Sequence, residues 1–331
     1  GWLTGAMAAV KQSGHELVIC TTESNTACTG RYEVDGVTYY LTARTDVETM
    51  RREFRTILQQ EQPDVVHVYG TEFEHSWAMV QETDRERTLV TIQGSLEYYK
   101  DAVYAGIPYE FCEDNILHKI LRKFNKGGRS ISLQKKSFSE RSVYECKTLQ
   151  HVRYINGGSQ WGNAVGIRVH PACTTLDCGL ILRDSFYTED MWCYDVCDKH
   201  TIYALISYPI KGFHKLLEAM PTIRYFYPDA KITAIGVPLT YRSYSGFKKK
   251  VMDFAPDYQW YLQNLIEKYD LKNNIEYTGY LSENQVKEHL LKSHVFVSPS
   301  SIENQSTALG EAMILGVPSI ASCVGAMQEM I

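Results

Sequence analysis

"SPSSIENQSTALGEAMILGVPSIAS", residues 298–322, follows the apolar run "HVFV" (294–297) and decides how the rest of the chain is read. The pattern is strand, Ser-Pro loop, acid, helix, then a second strand, with Gly316 closing the helix ahead of Pro318. It places Glu303 in the loop and Glu311 on the helix, about two turns in if the helix begins near Asn304. Free N–H groups and the helix dipole at such a start attract phosphate. A carboxylate held nearby can accept hydrogen bonds from both hydroxyls of a sugar diol. Taken alone, two acids at this spacing are more often a solvated loop glutamate and an ordinary helical one. The whole context of strand, Ser-Pro, acid, capped helix, acid and Gly-x-Pro strand favours a site for an anionic, hydroxylated ligand.

A diphosphate needs a cation. "SYPIKGFHKLLEAM" (207–220) puts Lys211-Gly212 after an apolar strand and at the start of an amphipathic helix. A lysine there points to the strand ends, and its charge-assisted contact with phosphate would contribute roughly 1.5–3 kcal/mol. By itself it is as readily a surface lysine at a helix start; beside the two glutamates it reads as a phosphate ligand.

Outward from these motifs, short β-branched runs alternate with helical patterns. Strands are expected at 15–20, 64–70 and 88–94 in the first half, and at 201–207, 230–236, 274–281, 294–300 and 318–322 in the second. Helices are expected at 46–60, 130–150, 211–226, 256–269 and 304–315. Such alternation predicts α/β architecture with parallel sheets, whose ligands bind at the carboxyl ends of strands. Two arrays imply two Rossmann-like domains, with the strand-poor stretch 178–200 as the boundary. The sequence opens on a helix without a preceding strand and closes on "GAMQEMI", so truncation at both ends is expected.

Composition narrows the classes. The 331 residues are 44% hydrophobic and 22% charged, which is ordinary for a globular chain long enough for two cores. No apolar run reaches the ~18 residues that span a bilayer, and a signal peptide is not expected. A net charge of −5 argues against nucleic acid as a partner. Nine cysteines suit reduced thiols in a cytoplasmic protein. Cys173, Cys178, Cys193 and Cys197 lie near His170 and His200, but their spacing is looser than a zinc ribbon or finger requires, so no metal is expected.

The combined motifs resemble the GT-B glycosyltransferases of the large retaining family 4, the group 1 glycosyl transferases, of the bacterial polysaccharide type. The resemblance covers nearly the whole chain and is strongest at 298–322, at "YPIKGFHKLLEAMP" (208–221) and at "DVVHVYGTEFEHS" (64–76). It implies two Rossmann-like domains facing a central cleft. Residues 1–183 would be the acceptor side, without its first strand, and 184–331 the nucleotide-sugar domain, without its C-terminal segment. It implies Glu303 and Lys211 as the catalytic pair, on the donor sugar and the diphosphate, and Glu311 on the nucleotide ribose. Asn304, Gln305, Ser306 and Thr307 would approach sugar and phosphate, and Gly236 the base. Gln93, where many relatives carry a histidine, and Gly5, in the tail of a glycine-rich turn, would complete the donor site. Glu72 and His75 would face the acceptor. His67, in an apolar strand, reads as a core histidine.

The implied activity is that of a hexosyltransferase (EC 2.4 type). It would move a hexose, with retention, from a nucleotide-diphosphate sugar to a glycan, lipid-linked or small acceptor. It would need no cofactor and no metal, would use a UDP-sugar rather than a GDP-sugar, and would work in the cytoplasm. Peripheral contact with the inner membrane face could come from "FKKKV" (247–251), although a solvated lysine run is the plainer reading. Three departures weigh against competence: Ile206 where relatives carry an arginine, Leu180 where an acid is expected, and the amides and glycines of 156–163. The competing reading is therefore a degenerate, non-catalytic glycosyltransferase-like module that binds nucleotide or glycan. A nucleotide-sugar epimerase is a minor third.

Overall fold

The computed structural model describes residues 3–123, 130–179, 181–236 and 257–331. Leu180 and the "FKKKV" segment lie outside the described residues. The chain divides into two compact units, 1–97 with 139–183 and 98–138 with 184–331. The excursion 98–138 thus belongs with the second unit, not with residues 1–97. Within that unit the Phe111 ring lies 4.8 Å from that of Tyr261. The buried His214 ring places Nε2 2.9 Å from the carbonyl of Ala105.

The first unit holds two sheets. In one, β1 (Val18–Glu23) pairs in parallel with β3 (Val37–Ala43), which pairs antiparallel with β2 (Gly30–Val34). The β2–β3 hairpin turns at Asp35 and Gly36, with φ of 50° and 72°, the left-handed pair that matches strand twist in a two-residue turn. This antiparallel hairpin departs from the expected all-parallel array. In the other sheet β4 (Val66–Tyr69), β5 (Thr88–Thr91), β6 (Tyr154–Asn156) and β7 (Thr174–Leu176) lie side by side in that order, all parallel.

Helix Val47–Glu61 fills the crossover from β3 to β4. Asp46 caps its start, accepting from the Thr49 N–H at 3.0 Å, and Gln62 ends it in the left-handed conformation. Its Met50 and Phe54 are buried against Ala78 of helix Glu74–Val80.

The second unit has one five-stranded sheet made of β8 (Asp198–Leu205), β9 (Lys231–Ile235), β10 (Ile275–Gly279), β11 (Ser293–Ser298) and β12 (Ser319–Ala321). All are parallel, in the order β10-β9-β8-β11-β12. The chain therefore runs outward from β8 on one side, then returns to add β11 and β12 on the other. The reversal makes the β8/β11 junction the topological switch point, the place where open α/β sheets bind their ligands. Phe296, Leu309, Ala312, Leu315 and Val317 pack with Tyr203 in one buried cluster, fixing helix Thr307–Ile314 on β8 and β11. Burying each such large side chain stabilises by roughly 1.5–3 kcal/mol.

Candidate functional site

Both strands at the switch point end in loops that carry the sequence-predicted residues. After β8 the chain makes a single 3₁₀ turn, Pro209–Lys211, and Gly212 then opens helix Phe213–Phe226. Gly212 has φ of 71°, and a Cβ there would stand 1.8 Å from the carbonyl oxygen of Pro299. Glycine is required on both counts, because the Lys211 turn lies directly on the Ser-Pro loop that follows β11. The Ser301 N–H donates to the Ile210 carbonyl at 2.8 Å, locking the two loops.

This juxtaposition brings Lys211 Nζ to 2.5 Å from Glu303 Oε1. The carboxylate side chain is 8% exposed and the lysine 25%. Burial disfavours the ammonium, but the facing carboxylate outweighs it and holds Lys211 above its ordinary value, so the pair is ionic. Behind Glu303, its carbonyl accepts from the Ala326 N–H at 3.1 Å. Gly325, with φ of 52°, passes so close that a Cβ would lie 2.0 Å from the same oxygen.

The helix after this loop begins at Thr307, three residues later than the spacing suggests. Ser306 is its cap, its Oγ accepting from the Leu309 N–H at 3.3 Å. Glu311 is therefore little more than one turn into the helix, and it is buried, as are Asn304 and Ser306. Gln305 and Thr307 are half-buried. At the neighbouring strand ends Gly236 (φ 121°) donates to the Gly279 carbonyl at 3.1 Å.

Ile206 accounts for its own departure from the family pattern. It is 4% exposed, its N–H donates to the Ile235 carbonyl at 3.0 Å, and a Cβ on Gly236 would meet its carbonyl oxygen at 2.7 Å. The side chain is buried in the core.

In the first unit, Glu72 and Gln93 come together at the ends of adjacent strands β4 and β5. A Cβ on Gly70 would lie 2.6 Å from Glu72 Oε2 and 3.5 Å from Gln93 Oε1. Burial pushes the Glu72 carboxyl up, the charge of Glu145 adds to this, and Arg141 opposes it. His75 Nδ1 lies 3.2 Å from Thr22 Oγ1, and burial together with Arg44 lowers its pKa. His67 is lowered to about 4 by burial and pairs with Thr91 Oγ1 at 2.6 Å, so it is a neutral structural group near pH 7. Gly5 sits inside helix Leu3–Gln12 rather than in a turn, and a Cβ there would stand 2.7 Å from Ile181 Cγ2. Its lack of a side chain serves close packing.

Sequence reasoning missed Glu145. This buried carboxylate accepts from Thr71 and Ser95 hydroxyls at 3.2 and 3.0 Å. It also accepts from the Leu96 and Glu97 N–H groups at 3.0 and 3.3 Å, at the start of helix Leu96–Ala102. Nothing in the local sequence marks it, since its partners lie about 50 and 74 residues away. All nine cysteines are free thiols. Among the described residues no three His, Cys, Asp or Glu side chains group as a metal site, and no helix is long and apolar enough to cross a membrane.

Residues 202–331 match the family described as glycosyl transferases group 1. No curated protein matches the sequence significantly. Solved structures of similar fold include the sucrose-phosphate synthase of Thermosynechococcus elongatus (TM-score 0.67, 16% identity, 99% of this chain and 76% of that one). WaaG, a glycosyltransferase involved in lipopolysaccharide biosynthesis, gives a TM-score of 0.59 at 11% identity, over 100% of this chain and 80% of that one. The structure described as "Trehalose-6-phosphate from E. coli bound with UDP-2-fluoro glucose" gives 0.57 at 9% identity, over 100% and 83%. Over residues 202–331 the chain is thus similar to the group 1 glycosyl transferases, and its fold as a whole is of the GT-B type.

Proposed function

We propose that the chain transfers a hexose, with retention, from a UDP-sugar to a glycan, lipid-linked or small acceptor, without a metal or another cofactor. The observation that carries this reading is the ionic Lys211–Glu303 pair at the switch point of a sheet within the family match, with Glu311 buried on the helix that follows. A donor diphosphate would compete with Glu303 for the Lys211 ammonium. Once so displaced, the Glu303 carboxylate is free to accept hydrogen bonds from the sugar hydroxyls. Lys211 and the N-terminus of helix Thr307–Ile314 would then stabilise the departing diphosphate as its charge develops, the term that dominates such transfers. Glu311 would accept from the ribose diol. No side chain is assigned as general base; the leaving phosphate takes the acceptor proton. Glu72 and His75 remain the acceptor candidates, and we place the reaction in the cytoplasm.

One observation favours the competing non-catalytic module. With Ile206 in the core, no second cation stands at that position beside Lys211. Calorimetric titration of UDP and GDP, repeated with Glu311→Ala, separates the readings when followed by NMR of the anomeric product from UDP-hexose. UDP binding lost in the variant, with an α-product from an α-donor, is expected. Binding without turnover across an acceptor panel would leave the module; no binding by a folded sample would remove both.

A further inference from the structure

The excursion 98–138 is fastened to the same two loops of the second unit that carry Lys211 and Glu303. It is packed rather than loose, with Val103, Ile107 and Cys112 buried. Helix Leu96–Ala102 ends in a turn where Ala105 and Gly106 both take positive φ, 52° and 74°. The left-handed conformation is unfavourable for a residue with a Cβ, and it persists only where surrounding contacts over-determine it. Two side chains supply those contacts. Ser301 Oγ lies 3.2 Å from the Ala102 carbonyl and 3.3 Å from that of Ile210, so its one proton is shared between the excursion and the Lys211 turn. His214 Nε2 lies 2.9 Å from the Ala105 carbonyl. A carbonyl only accepts, so Nε2 carries the proton, and Nδ1 accepts from the Tyr258 hydroxyl at 3.1 Å. His214 is fully buried, and burial lowers its pKa, which keeps this single neutral tautomer. An aliphatic residue would serve packing alone, whereas a buried imidazole needs both ring nitrogens partnered.

Ser301 stands two residues before Glu303, and His214 three after Lys211. We infer, resting on the transfer reading of this site, that the turn 102–106 is a brace for the Lys211–Glu303 pair and that Ser301 and His214 are the positioning residues that attach it. When a donor diphosphate takes the Lys211 ammonium, the ion pair parts. The two loops then need a hold that does not pass through it. The Ser301 N–H on the Ile210 carbonyl is one such hold, and a third element bonded to both loops is the other.

Three variants test the brace: Ser301→Ala, the double change His214→Leu/Tyr258→Phe, and His214→Gln, which keeps a donor for the Ala105 carbonyl. Ile202→Val, a core change on β8, controls for lost stability. Ser301→Ala should lower kcat roughly three- to tenfold, the worth of one net hydrogen bond. KM and UDP affinity should stay within roughly twofold, since the loss falls on the transition state. The double variant should lose at least as much, and His214→Gln should recover most of it. Hydrogen–deuterium exchange read by mass spectrometry should speed up in peptides 208–213 and 299–304 of Ser301→Ala and the double variant, and in neither peptide of Ile202→Val. Rates and exchange that match Ile202→Val would reduce both residues to ordinary packing and overturn the proposal. Should the double variant not fold, Ser301→Ala decides alone. If wild type shows no turnover, faster exchange in both peptides keeps the brace while the transfer reading fails, and unchanged exchange removes the brace whatever the rate.

Discussion

The strand-end loops of the two units hold their carboxylates by opposite means. In the second unit Glu303 faces the Lys211 ammonium at 2.5 Å, and the contact depends on Gly212 and Gly325 letting backbones touch. In the first unit Glu145 is held by neutral donors: it accepts from two hydroxyls and two N–H groups, and burial pushes its pKa up despite them. A charge matched by a charge can be exchanged for a ligand's charge. One satisfied by neutral donors at a helix start is committed to holding the fold. The first arrangement suits a site and the second a scaffold.

The sharpest way to break that contrast is to delete the cation. Lys211→Ala should lower the transfer rate by about 10²–10³, the loss seen when one preorganised stabiliser of developing charge is removed. A double-mutant cycle with Glu303→Gln should be strongly non-additive, because the two groups act as a unit. Steady-state kinetics on the three variants decide it. Additive losses, or a Lys211→Ala rate within threefold of wild type, would reduce the pair to a structural salt bridge.

Legibility in the sequence follows the same contrast. The second unit was readable because its chemistry lies in contiguous motifs: Glu303, Ser306 and Glu311 share one strand–loop–helix, and Lys211-Gly212 another. Even there, the helix start falls at Thr307 rather than near Asn304, since Ser306 provides the cap. The Lys211–Glu303 contact spans 92 residues, and local pattern does not contain it. In the first unit the expected strand list leaves 20–64 empty, although Asp35-Gly36 between "RYEV" and "VTYYLTA" is a strong hairpin signal. Strands β6 and β7 are three residues each, as is β12, but they lack the Gly-x-Pro signal that marks the start of β12. Glu145 sits mid-helix in Ile131–His151 among lysines and serines, where an acid normally means a solvated face. Only the fold shows that it points inward.

Ile206 tests whether the second unit's missing cation is a lesion or a design of the core. Ile206→Arg should destabilise by roughly 3–5 kcal/mol, since a guanidinium in that 4%-exposed position loses its hydration without a partner. Ile206→Val should cost only about 0.5–1.5 kcal/mol. Urea denaturation midpoints compare them. A stable Ile206→Arg that also binds UDP more than tenfold tighter would return the position to the phosphate site and show that the core reading is mistaken.

The smallest effects lie in the first unit and depend on pH. Glu145→Gln should cost about 1–3 kcal/mol, because an amide offers one acceptor oxygen to four donors that now share two. Its effect on transfer kinetics should follow stability alone. Glu145 and Glu72 are both raised above the ordinary value of 4.5, chiefly by burial. The folded state therefore binds protons that the unfolded chain releases. The associated stability is fully present below pH 4.5 and is lost as pH rises through the folded pKa values. Glu72→Gln removes one of these groups and relieves Glu145 of a neighbouring charge, so the fall in melting temperature with rising pH should become shallower. Melting curves at half-unit steps from pH 4 to 8 read the slope directly. An unchanged slope in Glu72→Gln would mean that Glu72 is solvated in the native state, and the first unit's strand ends would then be as open to a ligand's charge as those of the second.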